Sequence, residues 1–408
     1  MTETYALLPA IIAVFCAIQY GKTGKRLLLF LSGLMVSAAF LFKPTGAAVG
    51  APIVLYLTMN YFCDKKRLSF LFLDYSLFAL GVLLPIISFA AYFFAHNALK
   101  DAILQIFVYN IFYSSKYPLL FSVRKFIAHI FISAPLGQVS LLIILGMVGV
   151  FYGFLEITEN IRKKRLGPNP PGRILFLLLF FWLLADMYAV SFSGKCYSHY
   201  DIQLIPSLAL LSGYTVSYFS TQFKSNLRLF CFMCIFFLLS SPVSLKNMHN
   251  YRASQKEPLN DSNSISVKGI RYKHERAPLV RWITQNSSEN DYVYFWGAEA
   301  ELNFLANRRN PGKYIYLYPL QTLKYAKKEY IESMISDFKR NKPKFIVDTG
   351  STPDNAIPTL NKEHLGESNS PYENQLLLPA IRFINEEYIY KTTINQWDVY
   401  ERRKSGKA

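Results

Sequence analysis

Cysteine is scarce in this sequence: five in 408 residues, at positions 16, 63, 196, 231 and 234, with none in the polar last third. That region therefore does not rest on a disulfide framework. The signatures of soluble catalysis are missing as well. There is no Walker A loop, no GxGxxG placed after a strand, no HExxH and no GxSxG, which removes the familiar nucleotide-binding, zinc-hydrolase and serine-hydrolase readings. No repeat at a solenoid period is present. Cys231 and Cys234 form a CxxC inside an apolar run, but no histidine or carboxylate stands near to complete a redox or metal site, so packing is the plainer reading.

What the sequence has in abundance is apolar surface. Apolar residues make up 52% of the chain, with 33 Phe and 28 Tyr among them. Eight apolar runs stand out, at about 5–20, 27–42, 46–62, 68–95, 127–154, 174–192, 202–220 and 228–244. These lengths predict a polytopic α-helical membrane protein, although the first two runs are short against the roughly 20 residues a bilayer requires. The net charge of +17 could suggest nucleic acid, yet 19 of the 44 basic residues lie in the first 245 positions, mostly in short loops between apolar runs. A membrane-surface bias accounts for those loops without a nucleic-acid partner.

The loops alternate in charge. GKTGKR, CDKKR, the 155–173 segment and the 221–228 turn hold 13 Lys and Arg, against six in the intervening loops. By the positive-inside rule the first set faces the cytoplasm, and the intervening loops together with everything after 245 face the periplasm or a lumen. Met1 would then start outside with no signal segment ahead of it. The expectation is a chain lacking earlier helices, or a first run that does not cross.

DAILQIFVYNIFYSS, in the 96–126 loop, carries Ile103, Leu104, Ile106, Phe107, Ile111 and Phe112 near helical spacing. Two readings fit it: an amphipathic helix along the outer membrane surface, and a partly buried loop helix with no lipid role. After 245 the composition turns to 25 basic and 19 acidic residues in 163 positions, the mark of a water-facing domain. Strands are expected at 291–296, 313–318, 344–348, 387–394 and 397–402, helices at 278–286, 323–340 and 374–386, and a loop at 349–372. The domains are thus 1–245, multi-span, and 246–408, an extracytoplasmic α/β domain.

Candidate chemistry gathers at the outer helix ends. Lys43 heads KPTG between the second and third runs; its ammonium beside a Pro-broken turn with free N–H groups could hold a phosphate, or could merely snorkel. The short loop SGKCYSHYDIQLIP offers Lys195, Tyr197, His199, Tyr200 and Asp201. A cation, an imidazole and phenols can contact a phosphate and a sugar hydroxyl together, while Asp201 and Ser198 suit helix capping. Asp186 and Asp74 lie within spans and are expected to face inward, since a lipid-exposed carboxylate is costly. Asp186 could orient Lys195, and Asp74 could pair within the bundle. Glu3 is the only acid near the outer ends of the first three helices, a candidate general base whose competitor is a capping box with Thr2 or Thr4. In the last third, FWGAEAELNFLANRR places Trp296 and Gly297 at a strand end, followed by Arg308 and Arg309.

Taken in order, TETYALLPA, LLLFLSGLMVSAAFLFKPTG, HYDIQLIP and VRWITQNSSENDYVYFWG…RNPGKYIYLYPL…KPKFIVD resemble the GT-C superfamily of membrane glycosyltransferases. The similarity is to the family 39-like branch that includes protein O-mannosyltransferases and bacterial aminoarabinose transferases. The resemblance implies transfer of a sugar from a polyprenyl-phosphate donor to a glycan, lipid or protein hydroxyl on the non-cytoplasmic face, with inversion. It also implies an acidic residue in the first outer loop as base and basic residues on the departing phosphate, here Lys43, Lys195 and His199. In that family two helices and the loop bearing the acid precede the region matched by TETYALLPA, so the resemblance implies an N-terminally truncated transferase. The competing expectation is a non-catalytic membrane remnant or partner that binds polyprenyl-linked glycans. No cofactor is evident, and the pattern leaves room for a divalent metal. The compact loops suit a bacterial inner membrane, although Asn286-Ser287-Ser288 and Asn260-Asp261-Ser262 would be glycosylation acceptors in a eukaryotic lumen. A transporter would call for paired interrupted helices in two related halves, which are not apparent.

Overall fold

The computed structural model describes residues 2–63, 68–114, 124–125, 128, 140–162, 171–192, 198–222, 264–267, 270–273, 276–322, 324–350, 357–360 and 374–403. The expected span at 228–244, the Cys231–Cys234 pair, Lys195, Tyr197, most of the 349–372 loop and a domain boundary at 245 lie outside the described residues. The chain divides into two compact units. One comprises Met1–Ala102 with Ser114–Arg252, and the other Ile103–Tyr113 with Ala253–Ala408.

The first unit is a bundle of apolar helices: α1 (Thr2–Thr23), α2 (Leu27–Phe42), α3 (Gly50–Cys63), α4 (Leu68–Ala95), α5 (Ser140–Arg162), α6 (Pro171–Ser191) and α7 (Ile205–Gln222). Among the described residues, five stretches, Glu3–Thr23, Pro44–Cys63, Leu68–Ala95, Leu142–Glu159 and Gly172–Ser191, are long and apolar enough to cross a membrane. The first run, expected to be short, is thereby corrected: α1 continues past residue 20 to Thr23. The α5 helix likewise runs to Arg162, beyond the end expected at 154. In hydrocarbon a helix satisfies every backbone group within itself, which is why these runs are helices. Leu80, Leu83, Leu84 and Ile87 of α4 are exposed, as lipid-facing side chains are, whereas Ala13, Ala17, Leu29, Ile53, Phe176, Trp182 and Leu211 form a buried core.

Small residues and hydroxyls knit the bundle. Where α2 crosses α4, a Cβ on Gly33 would lie 2.1 Å from the Phe78 carbonyl oxygen, and one on Gly81 would lie 2.2 Å from that of Phe30. Glycine is therefore required on both sides of this crossing. The Ser32 hydroxyl donates to Ala13 O (2.8 Å) and the Thr215 hydroxyl to Leu145 O (2.7 Å). Asp74 does pair within the bundle, accepting from the Tyr20 hydroxyl and from Arg26 Nε at 3.3 Å.

The second unit is an α/β domain. Its main sheet has the order β3-β4-β6-β5, with β3 (Val293–Trp296) parallel to β4 (Phe345–Asp348), and β6 (Trp397–Arg402) antiparallel to both β4 and β5 (Tyr388–Ile394). A separate hairpin pairs β1 (Ser264–Val267) with β2 (Ile270–Lys273), strands absent from the sequence expectations. The side chains of β3 and β4 are buried throughout, so VYFW, and FIV ahead of Asp348, read as continuous runs rather than alternating ones. Val293, Phe295, Phe345 and Val347 share a core with Leu279 and Ile283 of α8 (Ala277–Asn286). Tyr294, Trp296 and Ile346 share the other with Phe338 of α9 (Lys328–Asn341) and Ile381 of α10 (Leu378–Glu387). The β5–β6 turn uses Asn395 and Gln396 with φ of 50° and 71°, the left-handed pair that a two-residue hairpin demands.

The strand expected at 313–318 is corrected. Residues 311–317 form bends and the chain then enters a short helix, Tyr318–Gln321. Tyr314 and Leu317, three positions apart, are buried while Ile315 is exposed, so the segment does not keep the alternation of a strand. Its one ladder-like bond is Leu317 N–H to Gly297 O at 2.8 Å, because Pro311-Gly312 and Pro319 punctuate the run at both ends.

Helical residues 99–114 include a π-helical stretch, Leu104–Val108. Tyr109 is buried, its ring 5.4 Å from that of Tyr325. That is the packing expected of a partly buried loop helix; Ile103 on the same segment is exposed.

Candidate functional site

The site begins with a proline. The residue before Pro44 is disfavoured in helical geometry, and Lys43 accordingly leaves α2 in extended backbone (φ −155°, ψ 127°) while its N–H still donates to Ala39 O at 3.0 Å. The 3₁₀ turn Pro44–Val49 follows and leads into α3. Gly46 packs back on the last turn of α2, where an added Cβ would lie 2.6 Å from Ala39 O. The turn is thus pressed against the helix it ends, and Lys43 projects from the seam.

Lys43 does not snorkel alone. Its Nζ lies 2.5 Å from Oε1 of Glu3, and Nε2 of His199 lies 3.7 Å from the same oxygen. The ammonium also stands 4.0 Å from the centre of the Tyr200 ring, a cation–π distance. The Glu3 side chain is nearly fully buried and that of Lys43 mostly so, whereas a third of the His199 side chain is exposed. Three separate parts of the chain therefore meet: the start of α1, the end of α2 and the 3₁₀ turn Ser198–Leu204 ahead of α7. Glu3, in the first turn of α1, also complements that helix's positive end.

One turn deeper, Asp186 on α6 accepts from Gln203 Nε2 at 2.9 Å. The same Nε2 donates to Thr45 O at 3.0 Å, and Gln203 Oε1 accepts from the Thr45 hydroxyl at 2.9 Å. Asp186 Oδ2 is buried beside Trp182 without a hydrogen bond of good geometry. A small cavity lies here, lined by Ala6, Leu7, Ala10, Gly46, Trp182, Asp186, Gln203 and Pro206.

Of the residues singled out from sequence, Glu3, Lys43, His199 and Tyr200 converge, and Asp186 sits behind them. Asp186 is bonded to Gln203, a residue that sequence reasoning passed over because one amide among many carries no local signal. The helical turn begins at Ser198, so Asp201 lies within its first turn rather than capping a helix that starts at Ile202. Glu3 is thus held in an ion pair with Lys43, with His199 at the same oxygen.

The second unit's candidate dissolves into structure. Trp296 is fully buried and its Nε1 donates to Pro358 O at 2.8 Å. Gly297 is tightly seated, since a Cβ would meet Thr349 Oγ1 at 1.8 Å. The Arg308 guanidinium donates to Ala306 O, Asn307 O, Thr284 O, Ser287 O and Ser287 Oγ, a fork saturated by backbone and unable to grip a ligand as well. Among the described residues no three His, Cys, Asp or Glu converge as metal ligands. No family model matches this sequence, and no curated protein is similar to it at a significant level.

Proposed function

We propose that the chain is an integral-membrane glycosyltransferase that moves a sugar from a polyprenyl-phosphate-linked donor to an acceptor hydroxyl at the extracytoplasmic face. The observation that carries this reading is the convergence of Lys43 Nζ and His199 Nε2 on a single carboxylate oxygen. Two cationic or donating groups aimed at one oxyanion form a place where a phosphate oxygen can be held. In the transfer, the acceptor oxygen attacks the anomeric carbon and its proton passes to the Glu3 carboxylate. The bond from that carbon to the phosphate oxygen breaks, and its electron pair is left on a phosphate stabilised by Lys43 and His199. Tyr200, its ring against the Lys43 ammonium, confines that group.

The same reading places the protein in a bacterial inner membrane, with the second unit in the periplasm and about eight spans. Basic loops support the orientation. Tyr109 supports the count: Ile103–Tyr113 belongs with Ala253–Ala408, so an even number of crossings must separate them. Of the described helices α5 and α6 are long and apolar enough to supply two, and on this reading α7 and the apolar run at 228–244 supply the other two.

The test is transfer by the full chain reconstituted in proteoliposomes with undecaprenyl-phosphate-linked sugars. Lys43→Ala and His199→Ala should each reduce transfer by about 10²-fold, the cost of losing one oxyanion donor, with membrane abundance unchanged. Undiminished transfer in both variants would remove the phosphate role. A second reading draws support from the Glu3–Lys43 ion pair, which engages the base: a chain that binds polyprenyl phosphates without transferring anything. Undecaprenyl phosphate bound by a wild type that shows no transfer would favour it.

A further inference from the structure

The Gln203 side chain links the Lys43 turn to the rest of the bundle. Its amide makes three hydrogen bonds within 3.0 Å, two of them to Thr45, two positions after Lys43. The third goes to Asp186 Oδ1. The Thr45 backbone carbonyl can only accept, so the NH₂ faces it and Asp186 Oδ1 together; this fixes which way the amide points, and its carbonyl oxygen is left for the Thr45 hydroxyl. Gln203 is largely buried, and Thr45 lies 158 positions away in sequence, so this contact exists only in the folded bundle. The Gly46 N–H returns to Lys43 O (2.8 Å), a bond internal to the turn.

We propose that Gln203 is a positioning residue for anion binding: by gripping Thr45 through both ends of its amide, with Asp186 accepting from the same NH₂, it holds the Lys43 ammonium where a lipid-linked phosphate is bound. This rests on the phosphate reading of Lys43 above. Gln203 and Asp186 do not touch the phosphate. They act through Thr45 and the extended backbone at Lys43, so their loss lets the ammonium wander while its charge remains.

The test is a double-mutant cycle on the full chain in detergent, with undecaprenyl phosphate as the probe and its Kd as the readout. Gln203→Met, close in volume, should weaken binding about tenfold, and Thr45→Val about threefold, in line with the loss of both hydrogen bonds to Thr45 in the first and of one in the second. Lys43→Ala should weaken it at least as much as Gln203→Met. The double variant Lys43→Ala with Gln203→Met should match Lys43→Ala within about twofold, because a positioned group that is gone cannot be mispositioned. If the two losses multiply, Gln203 acts structurally and the inference fails although the phosphate reading stands. Unchanged binding in Thr45→Val also overturns it, and that variant decides the matter should Gln203→Met fold poorly. Unchanged binding in Lys43→Ala overturns the phosphate reading itself, and the inference with it.

Discussion

Asp348 closes β4 with a fully buried carboxylate that accepts from the Thr359 hydroxyl at 2.5 Å, Leu360 N–H at 2.6 Å and Gly350 N–H at 2.9 Å. Burial pushes its pKa above the ordinary carboxylate range, Asp398 adds to that, and the three donors pull against it without prevailing. The sign of the pH effect follows. A carboxyl whose folded pKa exceeds its unfolded value of about 3.9 contributes stability that is complete below that value and is lost as pH rises through the folded one. The denaturant midpoint for exposing β4 amides to exchange should therefore decrease as pH rises above about 4, and Asp348→Asn should flatten that slope. The variant should start about 1–3 kcal/mol lower, since an amide NH₂ now confronts a backbone donor. An unaltered slope would assign the pH dependence elsewhere. At this scale a lone lysine between apolar runs is legible, because charge in a membrane demands a reason. Gln203 is not: its meaning lies in Thr45 and Asp186, and neither is a sequence neighbour.

At the scale of elements, apolar length and a proline located α2, the turn after it and α3 directly. What the sequence left hidden was how closely helices approach. Gly33 and Gly81 sit in runs rich in leucine and phenylalanine, and only their mutual facing across α2 and α4 shows that backbones touch there. Gly81→Leu should separate the pair and cost about 1–3 kcal/mol, as overpacking does, read as a lower thermal midpoint of the detergent-solubilised protein. Gly24→Ala, at a turn glycine with φ 68° and nothing within 4 Å of its added Cβ, should cost less; equal losses would mean the crossing is not tight. In the second unit, β3, β4, β5 and β6 were readable because their apolar and alternating runs are bounded by turn residues. The 313–318 run was misread because a cluster of tyrosines and isoleucine carries strand propensity without the pairing partner a strand needs. The β1–β2 hairpin was missed because SISV and IRYK are too short and too polar to stand out.

For the whole molecule, the packing of Tyr109 with Tyr325 makes a topological demand. A cysteine at exposed Gln105 and one at exposed Lys339 should both react with a membrane-impermeant maleimide in intact cells, while one at Lys22, on the basic end of α1, should react only after permeabilisation. Labelling of Gln105→Cys without Lys339→Cys would break the even count of crossings. Loop charges lead to the expected orientation, and the tyrosine contact bears on a separate point, that the two segments share a side. The sequence-based boundary at 245 had no means of showing that a stretch from the middle of the bundle would be lent to the other unit.

That loan has a consequence for biosynthesis. Residues 103–113 leave the ribosome long before Tyr325, and at about 5–20 residues per second the roughly 200 intervening positions take about 10–40 s to translate. Throughout that interval the Tyr109 ring has no seat, whereas Ile103, Phe107 and Ile111 stay exposed in the finished unit as well. The last unit to be made thus receives, as a late addition, one ring from a piece that has been waiting since the fourth helix.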